Sequence, residues 1–171
     1  MAESVAFSKT AERDVIYAEI TPQIDALISD EPDLTANLAN VAAVLKEALG
    51  FFWVGFYIKK DGQLVLGPFQ GPVACTRIDF GKGVCGHAYS TAESVIVPNV
   101  DEFPGHIACS SDAKSEIVLP IFDTDGGVFG VLDVDSDRLN DFSNVDHDGL
   151  TRIVNVIERV IRSHTNSGKL E

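Results

Sequence analysis

Three thiols and a run of alternating acids are the parts of this sequence able to do chemistry. The cysteines are Cys75, Cys85 and Cys109, spaced 10 and then 24 residues apart. Cys109 sits in a Gly/His/Ser/Asp loop, Gly105 to Ser115, between two apolar segments. A thiol in a polar loop is accessible, and an accessible thiolate acts as a nucleophile, so Cys109 is the candidate redox residue. The alternative is three small buried hydrophobes, because free cysteine is among the most buried residue types. The acids are Asp133, Asp135 and Asp137 of LDVDSD, which period two places on one face of a strand. Glu116 opens the preceding strand, seven residues after Cys109. Paired as a hairpin, the two strands set Glu116 opposite or diagonal to Asp133 and Asp135. Cys109, Glu116, Asp133 and Asp135 then share one end of a sheet. Three carboxylates so close repel, and at least one keeps its proton near neutral pH. A solvated acidic rim is the competing reading.

Other chemistries find less support. Carboxylates with His106 and Cys109 could hold zinc, but CxxC and HxxxH spacings are missing and no metal is expected. The glycines at 81, 83 and 86 lack the GK[ST] ending of a phosphate loop, and there is no GxSxG.

The elements that must position these groups follow from the apolar period. Residues 1–12 read as a flexible arm. From Asp14, Val15, Ile16, Ile20, Ile24, Leu27 and Ile28 recur at helical steps, with Pro22 marking a kink or the first turn of a shorter helix. Asp33 caps a second helix whose Leu34, Leu38, Val41, Leu45 and Leu49 point inward, and Gly50 stops it. The period then becomes two. Phe51 to Lys60 is a strand, Asp61-Gly62 a hairpin turn, and Gln63 to Leu66 the return, ended by Gly67-Pro68. Ala74 to Ile78 reads as a third strand, Val84 to Ser90 as a short helix, and Ser94 to Val97 as a short strand. Ser115–Phe122 and Val128–Val134 flank the turn Asp123–Gly127. Ser143 caps a last helix with Val145, Leu150, Ile153, Val154, Ile157, Val160 and Ile161 on its apolar side. The fold class is α+β: an about six-stranded, mainly antiparallel sheet, with two N-terminal helices and one C-terminal helix packed on one face. Residues 13–164 form one domain and 165–171 a frayed tail.

Composition narrows the partners. The chain has 171 residues, 45% of them hydrophobic, enough for a single core. Its net charge of -13 disfavours nucleic acid and anionic membrane surfaces. The polar, acidic start lacks a signal-peptide pattern, and no long apolar run spans a bilayer, so a cytoplasmic location is expected. Three cysteines in a reducing compartment argue against a structural disulfide framework.

WVGFY (Trp53 to Tyr57), LVLGPFQGPVAC, GKGVCG, GHIACSSDAKSEIVLP and GVLDVDS together resemble the free methionine-(R)-sulfoxide reductases, single-domain enzymes of the GAF fold. The resemblance runs from about Leu34 to Phe142. It implies that Cys109 is the catalytic thiol, Cys75 its resolving partner, and Cys85 an accessory or alternative resolver. It implies that Glu116, Asp133 and Asp135 are the pocket carboxylates and that Trp53 and Tyr57 are its aromatic wall. Free methionine-(R)-sulfoxide would be the substrate and thioredoxin the reductant of an intramolecular disulfide, without a cofactor, in the oxidative-stress response. Apart from the resemblance, the apolar stripes of the two N-terminal helices and the final helix exceed what one sheet face covers, and a homodimer using that surface is expected. A non-catalytic GAF sensor of a small ligand would share the fold and the SEIVLP-like strand but not this cysteine set, and a peroxide-sensing thiol protein would use the same cysteines without a substrate pocket.

Overall fold

The computed structural model describes residues 4–107 and 111–166, with side chains as far as residue 163. Two helices open the domain, α1 (Arg13–Ile28) and α2 (Leu34–Leu49). The strands are β1 (Trp53–Lys60), β2 (Gln63–Gln70), β3 (Arg77–Asp79), β4 (Val95–Val97), β5 (Ser115–Phe122) and β6 (Val128–Ser136). Between them lie α3 (Gly83–Thr91) and a 3₁₀ turn (Val100–Glu102), and α4 (Asn144–Asn166) closes the domain. The sheet order is β3-β2-β1-β6-β5-β4, and every neighbouring pair is antiparallel. The expected α+β architecture is therefore present.

Local chemistry sets the boundaries. Asp33 accepts a hydrogen bond from Ala36 N at 2.8 Å, and Gly50 takes a left-handed φ of 67° that ends α2. Ser143 Oγ accepts from Val145 N, and Asp146 accepts from Ser143 N at 3.0 Å, a reciprocal cap on α4. Asp61 and Gly62 both have positive φ, the conformation a two-residue hairpin requires.

Several boundaries differ from those expected. Helix α1 starts at Arg13 and has Pro22 inside it, which removes the alternative of a shorter helix beginning at the proline. Strand β2 does not stop at Gly67-Pro68 but continues to Gln70. Its pairing with β1 shifts between Gly55 and Tyr57, so Gly67 and Pro68 together face Phe56. A bulge needs no ladder hydrogen bond from the proline, which explains how the strand survives it. Strand β3 covers only Arg77–Asp79 of the expected Ala74–Ile78. Val15 and Val145, placed inward by period, are 44% and 43% exposed, because the opening turns of α1 and α4 overhang the core. Residues 5–11 lie against the domain: Val5, Phe7 and Ala11 pack on its core, and Ser8 donates to Glu19.

The sheet is covered on both faces. Alternate residues Val54, Phe56, Ile117, Leu119, Ile121, Leu132 and Val134 meet α1, α2 and α4. The intervening residues Trp53, Tyr57, Val118 and Val131 meet α3 and its neighbouring loops, including Val84, Cys85 and Ala88. The three long helices thus gather on one face as expected, while the short α3 lies on the other. Strands buried on both sides read as continuous apolar runs, which is why β5 is SEIVLPIF. No helix among the described residues is long and apolar enough to cross a membrane.

Candidate functional site

On the α3 face, strands β1, β6 and β5 set the site out as a grid. Trp53 pairs with Asp135, and Asp135 with Glu116, so these three form one row. Gly55, Asp133 and Val118 form the next row. Glu116 is thus directly opposite Asp135 and diagonal to Asp133, the placement that hairpin counting anticipates. Asp137 lies beyond the end of β6 and is exposed, so it is not part of the cluster.

The grid is the floor of a cavity of about 40 Å³. Trp53 and Tyr57 line one side, stacked with centroids 6.1 Å apart, and Trp53 stacks on Phe69 at 5.3 Å. The Trp53 Nε1–H donates to the Pro72 carbonyl at 3.1 Å, and the Tyr57 hydroxyl donates to the Cys75 carbonyl at 2.9 Å. Both aromatic rings are therefore fixed by the loop that carries Cys75. A side chain at Gly55 would meet Phe69 at 2.4 Å and the Trp53 ring at 2.6 Å, so glycine there lets the indole lie flat across β1.

Helix α3 drives Cys85 into the same floor. The thiol is buried and free, with Sγ 3.9 Å from Glu116 Oε1. Cys75 is half-buried beside the aromatic wall. Cys109, the expected nucleophile, lies outside the described residues. On either side of it, Ile107 and Ala113 both line the cavity.

Burial dominates the electrostatics. It pushes the carboxyl of Glu116 well above the usual range, and the charges of Asp133 and Asp135 push it further. Asp133 is raised to about 6 by burial. Asp135 is raised by burial and then by Asp133. The Cys85 thiol is pushed up by burial and by Asp133 and Glu116. No arginine or lysine forms an ion pair with these acids among the described residues. One oxygen of Asp133, Oδ1, is buried without a hydrogen-bond partner. Donor atoms of Cys85, Glu116 and Asp133 lie within 4.8 Å of one another, a grouping able to hold a cation. That grouping has no short-range sequence signature, because its members come from α3, β5 and β6.

Hairpin counting points to the grouping of the acids, and the resemblance to Trp53 and Tyr57, all of which line this cavity, but neither singles out Phe69, Val73 or Ile107. Phe69 backs the indole, while Val73, 88% exposed, and Ile107, 39% exposed, flank the mouth. Phe69 was hidden because the proline before it signals a strand end.

The model for the GAF domain family matches residues 29–162. The protein named GAF domain-containing protein A in Dictyostelium discoideum is 52% identical over 92% of this chain and 99% of its own length. The free methionine-R-sulfoxide reductase of Escherichia coli is 42% identical over 85% of this chain and 88% of its own. An X-ray structure of free methionine-R-sulfoxide reductase from Neisseria meningitidis in complex with its substrate superimposes with a TM-score of 0.91. It is 47% identical over 96% of this chain and 98% of that one.

Proposed function

The chain belongs to the GAF domain family, and on that premise we propose that it is a thiol-dependent reductase of free methionine-(R)-sulfoxide. The observation that carries the reading is the trio Glu116, Asp133 and Asp135, gathered beneath Trp53 and Tyr57 with no paired cation among the described residues, the first two buried and Asp135 half-buried. A free amino acid brings the missing cation as its α-ammonium, which carboxylates bind through charge-assisted hydrogen bonds. A carboxyl that stays protonated in the same cluster donates to the sulfoxide oxygen. Relatives that bear the reductase name at 42% and 47% identity support the same substrate.

The chemistry then needs only the chain's thiols. The Cys109 thiolate takes the oxygen from sulfur as the carboxyl supplies a proton, giving methionine and a Cys109 sulfenic acid. The Cys75 thiol attacks that sulfenic sulfur, forming a disulfide and releasing water. Two thiols of thioredoxin reduce the disulfide by exchange. Cys85 is a free thiol whereas Cys75 is disulfide-bonded, which favours Cys75 as the resolver. Trp53 packs against the S-methyl group, whose sulfur becomes more positive as its oxygen is protonated. The protein works in the cytoplasm, in the response to oxidative stress, as a homodimer through helical surface; light scattering that finds a monomer at high micromolar concentration removes the last point.

The decisive measurement is kcat/KM for free and N-acetylated methionine-(R)-sulfoxide. Acetylation removes the ammonium charge and leaves a buried carboxylate unpaired, so efficiency should fall by at least about tenfold. Equal efficiency on the two compounds overturns the ammonium site. Cys109→Ser should abolish turnover, and Cys75→Ser should release about one methionine per chain without recycling by thioredoxin.

A further inference from the structure

The buried floor of the cavity combines a sulfur donor with hard oxygen donors, a set that an ammonium group does not require. We propose that Cys85, Glu116 and Asp133 form a zinc-binding site on the floor of this cavity. This inference does not rest on the reductase reading.

Three arguments support it. The three donor atoms already lie within 4.8 Å of one another, and Cys85 Sγ is 3.9 Å from Glu116 Oε1. Zinc bonds of about 2.3 Å to sulfur and about 2.1 Å to oxygen place tetrahedral ligands roughly 3.5 Å apart, so closure needs shifts of about an ångström or less. Asp133 Oδ1 is buried without a partner, and Asp133 as a whole is 6% exposed, so a ligand position is held in place and left unsatisfied. The cavity of about 40 Å³ beside these atoms has room for an ion with a water as fourth ligand. Thiolate, two carboxylates and an open position suit a borderline-soft divalent ion better than magnesium or calcium, which take oxygen alone. On binding, the Cys85 thiol and whichever of Glu116 and Asp133 is protonated give their protons to solvent, and no electrons move. An ion there occupies the space in which an amino-acid substrate would meet Glu116 and Asp133, so zinc and such a substrate exclude each other.

Cobalt(II) is the spectroscopic probe, added to protein kept reduced by a phosphine. One equivalent per chain should produce a thiolate-to-cobalt charge-transfer band, which zinc then displaces. Cys85→Ser should remove the band, and the double variant Cys75→Ser/Cys109→Ser should keep it. Asp133→Asn retains the thiol and the side-chain shape and should weaken cobalt binding at least about tenfold; it decides the matter if Cys85→Ser does not fold. A wild-type protein without the band, a band that survives Cys85→Ser or is lost in the double variant, or an unchanged affinity in Asp133→Asn each overturns the site. None of these readouts involves a sulfoxide, so failure here leaves the reductase reading standing, and failure of that reading leaves this one.

Discussion

Two groups of buried and half-buried carboxylates sit in this domain, and they are treated in opposite ways. At the edge of the long-helix face, Arg13 reaches Asp141 and Asp146 at 3.1 Å each, Tyr17 donates to Asp146 at 3.0 Å, and Ser136 donates to Asp141 at 2.6 Å. The guanidinium also lies 5.3 Å from the centroid of Phe51. Burial opposes ionisation of Asp141, yet Ser136 and Arg13 together hold its carboxyl below the usual range. On the α3 face, Glu116, Asp133 and Asp135 have no such cation among the described residues, and burial moves all three upward. A charge that has its counter-ion inside the chain serves stability. A group of acids left without one keeps a place for something from outside.

This contrast can be broken experimentally, beginning with the paired group. Arg13→Met keeps the stem but strands Asp146, so unfolding free energy should fall by about 3 kcal/mol in denaturant titration, while kcat per folded molecule is unchanged. A comparable loss of catalytic efficiency in the folded variant would erase the division between the two groups.

The unpaired group should respond with the opposite sign. The folded pKa of Asp133 is raised from 3.8 to about 6, so the folded state binds more protons than the unfolded state between those values. Its contribution is most favourable below about pH 4 and is lost as pH rises through about 6. Asp133→Asn should therefore stabilise the protein by about 3 kcal/mol at pH 7 and by almost nothing at pH 3.5, as read from melting curves at both pH values.

Function should separate the groups in turn. Glu116→Gln and Asp135→Asn should each lower kcat/KM for the free sulfoxide by at least about tenfold without loss of stability. The Asp135 change should cost the acetylated compound less. The smallest effect concerns Asp146, which also caps α4. Ser143→Ala removes only the other half of that cap and should cost about 1 kcal/mol in thermal unfolding, with kinetics unaffected.

Much of the unpaired group was legible in the sequence, because a strand alternates strictly. Asp133 and Asp135 must share a face, and the turn at Asp123–Gly127 brings Glu116 to them. The strand cores were legible for the same reason. The bulge at Gly67-Pro68 was not, since a proline that ends most strands is tolerated where two residues face one. Helix α3 was visible as a helix, but GVCGHAYST has no apolar stripe to say which face it covers, so the burial of Cys85 against Glu116 emerges only from the fold. The paired group escaped altogether. Arg13 lies 128 and 133 residues from Asp141 and Asp146, and no local pattern joins them.

That separation also bears on how the molecule assembles. Helices α1 and α2 are made before the sheet, yet α1 finds its Arg13 partners, and α4 to pack on, only after the sheet and the loop beyond it have emerged. The β1–β2 and β5–β6 hairpins close over short loops and can form early, whereas docking of α1 requires a very long loop to close. Until then its apolar stripe, Ile16, Ile20, Ile24 and Ile28, has only α2 to pack against. During synthesis the part of this stripe that α2 leaves uncovered is open to chaperones and to misassociation with neighbouring chains.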